Sequence, residues 1–186
     1  MTDNAYVNQC FKGNEDAAFN FTINLIDDIN QHLLNEEFVY TDLVSGETIT
    51  YKNFGFHPRV IKLGHKAFIQ FNRQRILNVN HLKTTLNSSA LRPELLDNAL
   101  VAFFTGKPIT GYNGFSCGAV CSPPNNSLVV SFHECPLKGG SEAYERVLIT
   151  TFHELLHIIG VPHSSDTDND VMKEVGASNM VMATVH

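Results

Sequence analysis

Residues 150–166 read TTFHELLHIIGVPHSSD, which sets His153, Glu154, His157, Gly160 and His163 in the spacing HExxHxxGxxH. That spacing constrains the backbone more tightly than any other stretch of the chain. Residues four apart on an α-helix stand on one face, one turn apart, so His153 and His157 can reach a single ion if the segment is helical. Glu154 lies one step round the same helix, at the edge of the ion rather than bound to it. Gly160 falls where the helix must stop, because glycine adopts the left-handed conformation that ends helices without a Cβ penalty. The chain then turns back and delivers His163 from outside the helix. Three imidazole nitrogens at about 2.0–2.1 Å leave a tetrahedral zinc ion with a fourth position open to water, the catalytic rather than the structural arrangement. Zinc lowers the pKa of such a water towards about 7, and a neighbouring carboxylate can take its proton as a carbonyl polarised by the same ion is attacked. Glu154 is the residue placed for that role, with His153, His157 and His163 as ligands.

The chain has 186 residues, 43% of them hydrophobic, which is enough for one well-buried domain and too little for two of ordinary size. No repeat or linker divides it, so 1–186 reads as a single domain. A net charge of −6 without any lysine or arginine run excludes the basic patch that nucleic acid or an anionic membrane would require. No stretch approaches the roughly 18–20 apolar residues of a membrane span, and the opening MTDNAYVNQ is not a signal peptide.

The four cysteines, Cys10, Cys117, Cys121 and Cys135, could form two disulfides through any of three pairings. A second zinc site is the competing reading, but there is no CxxC pair and the step from Cys117 to Cys121 is wide for a zinc ribbon. Sequons at Asn20, Asn87 and Asn125, completed by Thr22, Ser89 and Ser127, point the same way as the disulfides. Together they predict a secreted glycoprotein whose signal and pro-segment are absent from this sequence. Asp166, Asp168 and Asp170 do not form an EF-hand run, so calcium has no assigned site. His32, His57, His65, His81, His133 and His186 have no comparable partners and stay outside the site.

Coarse patterning supplies the surrounding elements. Phe19, Ile23, Ile26, Ile29 and Leu33 recur at helical spacing over 15–34 and predict an amphipathic helix. EFVYTD at 37–42 and ETITYKN at 47–53 alternate around Ser45-Gly46 and read as two short strands, with a turn or loop at 54–58. Residues 65–86 read as a helix of drifting period. Residues 93–105 are ambiguous, since Pro93 suits a first helical turn while DNALVAFFTG also reads as a buried strand. SCGAVCSPPNNS gives a short strand and turn, and SLVVSF at 127–132 a strand buried on both faces. The metal helix is expected to start near Ser141 as N-cap, with Glu142 and Glu145 in its first turn and Val147, Leu148, Leu155, Ile158 and Ile159 buried.

The five motif residues resemble the signature of the metzincin zinc proteases. Within that clan the stretch 97–163, with DNALVAFFTG, GAVCSPPNNSLVV and the metal helix, is similar to the reprolysin or adamalysin catalytic domains of snake venoms, tick saliva and ADAM proteins. With the first long helix the resemblance covers about two thirds of the chain. It implies an α/β (α+β) fold: a twisted, mostly parallel five-stranded sheet with long helices over about 1–160, and a small irregular C-terminal subdomain over about 161–186. It also implies that DNALVAFFTG is a strand and that Gly118, Ala119, Val120 and Cys121 lie on an edge strand bordering the cleft, where an extended polypeptide substrate could add by β-augmentation. The clan's methionine turn falls on Met182, with Met172 as the alternative, and Ala183 and Thr184 would wall the main specificity pocket. A monomeric zinc endopeptidase follows.

The pattern is broken in three places. Leu156 stands where glycine is usual, Ser164 stands where reprolysins carry aspartate and matrix metalloproteases serine, which keeps the matrix metalloproteases as the alternative branch, and the sequence stops at His186 before the family's last helix and its cysteine. The family's initial strand is also not visible before the first helix. A different class of function, a toxin-like zinc-stabilised domain that binds a protein without cutting it, is disfavoured by the intact Glu154.

Overall fold

The computed structural model describes residues 2–34, 37–41, 45–52, 55–58, 101–108, 114–117, 127–132, 135–158, 161, 163, 171 and 172. Its centre is a three-stranded sheet. The strand β3 (Val101–Thr105) lies parallel to β5 (Ser127–Ser131), with Phe104 opposite Val130, and β4 (Gly114–Cys117) runs antiparallel on the other side of β5. Of the ambiguous stretch 93–105, residues 101–105 form a strand and 93–100 lie outside the described residues. One isolated parallel bridge joins Thr2 to Phe104 of β3.

A separate antiparallel pair, β1 (Glu37–Thr41) and β2 (Thr48–Lys52), confirms the two short strands read from alternation. Their Glu37–Lys52 ion pair, at 2.9 Å, is solvent-exposed and adds little to stability. The resemblance implies a mostly parallel five-stranded sheet. Among the described residues, β3–β5 is parallel while β4–β5 and β1–β2 are antiparallel. The expected helix at 65–86 and most of the expected subdomain at 161–186 lie outside the described residues.

Helix α2 (Glu15–Leu33) is capped by the Asn14 side chain, which accepts from the Ala17 N–H at 3.0 Å, and it carries Glu15 and Asp16 in its first turn. Its buried stripe is Ala18, Leu25, Ile26, Ile29 and Leu33, with Phe19 and Ile23 only half-buried. The predicted stripe is therefore rotated in its first half, because Phe19 and Ile23 lie at the margin of a face centred on Ala18 and Leu25. Near its end, Asn30 imitates a strand partner. Its Nδ2 donates to the Phe56 carbonyl and its Oδ1 accepts from the Phe56 N–H, both at 2.7 Å, which ties down the turn at 55–58.

The polar opening of the chain, read from sequence only as not being a signal peptide, forms a short helix, α1 (Asn4–Phe11). Asp3 is its N-cap and is buried. Its Oδ1 accepts from the Tyr6 N–H at 2.8 Å and the Gly106 N–H at 3.1 Å, and its Oδ2 accepts from the Thr105 hydroxyl at 2.6 Å. Gly106 permits this approach, since a Cβ there would collide with the Ala5 carbonyl and the Tyr6 nitrogen. Burial holds Lys107 below the ordinary lysine range, with the charge of Asp3 partly opposing the shift.

Tyr6 is fully buried against Phe11, Phe104 and Phe132, while Phe21 joins Phe11 and Phe132 to Tyr144 of the third helix. The Thr22 hydroxyl donates to the Ala18 carbonyl at 2.9 Å, so the Tyr6 hydroxyl donates to Thr22 at 3.2 Å. Burial raises the pKa of Tyr6. The last turn of α1 is joined by a Cys10–Cys135 disulfide, Cα–Cα 5.2 Å, across 125 residues of sequence. This selects one of the possible pairings. The side chain of Cys117 and all of Cys121 lie outside the described residues.

Candidate metal centre

The helix α3 (Ser141–Ile158) follows a short 3-10 helix (Pro136–Gly139). Two details of its start differ from expectation: Ser141 is the first helical residue rather than the cap, and Glu142 is the one acid of the first turn, with Glu145 beyond it. Val147, Leu148, Leu155 and Ile158 are buried as expected, and so are Ala143, Ile149, Phe152 and Leu156. Ile159 lies outside the described residues. Leu156, the departure inside the motif, is fully buried in the core, so a leucine at this position is accommodated by packing.

Burial on most sides fixes the helix, and the helix fixes His153 and His157 one turn apart. Their Nε2 atoms are 3.0 Å apart and their rings meet edge to face, with centroids 4.5 Å apart. Beyond the helix the Val161 N–H donates to the Leu156 carbonyl at 3.0 Å, while the Val161 carbonyl accepts from Nδ1 of His157 at 2.8 Å. One residue thus closes the helix end and orients a histidine. The chain returns as expected: His163 Nε2 lies 2.9 Å from Nε2 of His157. Gly160, the expected pivot, lies outside the described residues.

His153 is oriented in the same manner, its Nδ1 lying 2.6 Å from the Val171 carbonyl. A carbonyl can only accept, so Nδ1 carries the proton in both His153 and His157, the tautomer that in a neutral imidazole leaves the lone pair on Nε2. Those lone pairs face each other, and His163 brings a third nitrogen to the same point. Burial above all pushes His157 down to about 4; its Val161 hydrogen bond opposes the shift, and the charges of His153 and His163 add to it. The ring is therefore neutral near pH 7.

Nitrogens bound tetrahedrally at about 2.0–2.1 Å lie about 3.3–3.4 Å apart, a few tenths of an ångström more than the separations here. The three residues could hold a metal ion, and the donor set fits one: three convergent ring nitrogens, two of them on rings whose far side is already anchored.

Glu154 follows His153 and is 7% exposed. Val171 and Met172 are buried, so of the two candidate methionines Met172 adjoins the carbonyl that holds His153. Met182, Ala183 and Thr184 lie outside the described residues, as do Gly118, Ala119, Val120, Ser164, Asp166, Asp168 and Asp170. The described edge strand, β4, ends at Cys117, immediately before the stretch expected to border the cleft. The carbonyls of Val161 and Val171 could not be found from sequence, since a main-chain group leaves no mark on residue identity. No helix among the described residues is long and apolar enough to cross a membrane. Comparison of the chain with protein-family models and with curated proteins returns no match.

Proposed function

We propose that this chain is a secreted, monomeric zinc endopeptidase of the metzincin type, reprolysin-like, which hydrolyses peptide bonds of extended polypeptides. One observation carries the reading: the Nε2 atoms of His153 and His163 converge to 2.9–3.0 Å of that of His157 while main-chain carbonyls hold the opposite nitrogens of two of the rings. With Nδ1 of His153 and His157 donating to main-chain carbonyls, their Nε2 lone pairs face each other, an arrangement that a cation between them would stabilise.

His153, His157 and His163 would hold the zinc, which when bound supplies Lewis acidity towards a carbonyl and a water of pKa near 7. The Glu154 carboxylate would take the proton of that water as it attacks and return it to the leaving amine nitrogen. The carbonyls of Val161 and Val171 would keep the ligand nitrogens aimed. Met182 would be the methionine beneath the ion, with Met172, next to Val171, as the alternative.

Among the described strands, β4 lies at an edge of the sheet. A substrate strand would pair there and onward along Gly118, Ala119 and Val120, with Ala183 and Thr184 walling the pocket for its side chain. Replacing Glu154 with alanine tests the reading. Cleavage of casein, gelatin or a quenched peptide should fall about 10²–10⁴-fold with metal content unchanged. Undiminished cleavage would exclude Glu154 as the base, and a metal-loaded wild type that cuts nothing would favour a binding domain.

A further inference from the structure

The sequon Asn20-Phe21-Thr22 has no part in the hydrolysis proposed above, yet the fold presents its asparagine openly. Asn20 is exposed within α2. At 3.6 residues per turn it stands roughly 170° round the helix from the centre of the buried stripe formed by Ala18, Leu25, Ile26, Ile29 and Leu33. It shares that outer side with Asp16, Asp27 and Gln31, all exposed. Asparagine is a middling to poor helix former, so nothing about helix stability calls for it here. The second observation is the Cys10–Cys135 disulfide, which closes 125 residues and belongs to an oxidising compartment. In a eukaryotic cell, sequons meet the glycosylation machinery in that same compartment.

We propose that Asn20 carries an N-linked glycan on the outer face of α2. In the transfer, Nδ2 of Asn20 forms a bond to C1 of an oligosaccharide carried on a lipid pyrophosphate. The C1–oxygen bond to the carrier breaks, the pyrophosphate leaves with that electron pair, and one amide proton of Asn20 passes to a base. Nothing is oxidised or reduced. In the fold the Thr22 hydroxyl is engaged by the Ala18 carbonyl and by Tyr6, so the hydroxyl that completes the sequon is available before α2 closes on α1. Transfer therefore acts on the chain while it is still extended, and folding then leaves the sugar outside.

The test uses the full chain behind a heterologous signal peptide, translated with microsomes, with Asn87→Gln and Asn125→Gln so that Asn20 is the one remaining acceptor. A single downward step in mobility on endoglycosidase treatment is expected, and adding Asn20→Gln should remove it. Translocated, protease-protected chains that show no step would overturn the proposal. A second measurement reads the wild-type sequons in place. Protein secreted from eukaryotic cells is treated with peptide N-glycosidase in heavy-oxygen water, and the peptide spanning residue 20 should return as labelled aspartate. Recovery of that peptide mainly as unmodified asparagine would also overturn it. Asn20→Gln should leave metal content and turnover at wild-type levels, which separates this site from the histidines.

Discussion

The carboxylate of Asp3 and the imidazole of His157 are both drawn out of solvent, but the company they keep differs in kind. Asp3 receives hydrogen bonds from two main-chain N–H groups and one hydroxyl, so its lone pairs meet protons supplied by the protein. His157 gives one nitrogen to the Val161 carbonyl and turns the other towards two further imidazoles. The first cluster is complete as it stands. The second brings three like groups together, which is the arrangement the proposed metal ion would use. A buried polar group therefore reports structure or function through the chemistry of its partners more than through its burial.

Substitutions that remove one member of each cluster should have opposite signatures. The largest effect is expected from His157→Ala. Loss of a direct ligand should weaken zinc binding by more than the about 10–100-fold that removing an outer partner costs. The metal-free protein should keep its unfolding free energy to within about 1 kcal/mol, because a crowded nitrogen is removed along with a half-buried ring. Zinc titration and urea unfolding without metal check the two halves.

Asp3→Ala should reverse that pattern. It removes an N-cap worth about 1 kcal/mol and strands buried donors at about 1–3 kcal/mol, so a loss of about 2–4 kcal/mol is expected with one zinc still bound per chain. If Asp3→Ala instead lost zinc while keeping stability, the division between the clusters would be wrong. Gly106→Ala acts on the same docking surface by overpacking. The Ala5 main chain must shift to admit the new methyl group, at a cost of about 1–3 kcal/mol and without change in metal affinity.

The two clusters are unequally legible in the sequence. His153 and His157 announce themselves because a helix converts a fixed residue spacing into a shared direction, and Glu154 and His163 are legible by their places in the same short motif. The strand at 101–105 and its partner at 127–131 are legible through their apolar runs, although only the family resemblance decides the first against a helix. Asp3 and Thr105 lie 102 residues apart, and no local pattern links an acid to a hydroxyl over that distance. For the same reason α1 escapes a reading of the sequence: its eight residues carry a weak apolar pattern, and they are held by a cap, an aromatic cluster and a disulfide formed with distant parts of the chain. The pairing of Cys10 with Cys135 is one choice among several that spacing cannot rank.

The most direct test of the metal centre is metal analysis coupled to X-ray absorption on the wild-type protein after loading with zinc and exhaustive dialysis. One zinc per chain should remain, with three nitrogen donors and one oxygen at about 2.0–2.1 Å, and it should be absent from a variant with His153, His157 and His163 all replaced by alanine. Equal zinc in the wild type and that variant, or a shell containing sulfur, would contradict the assignment of these histidines.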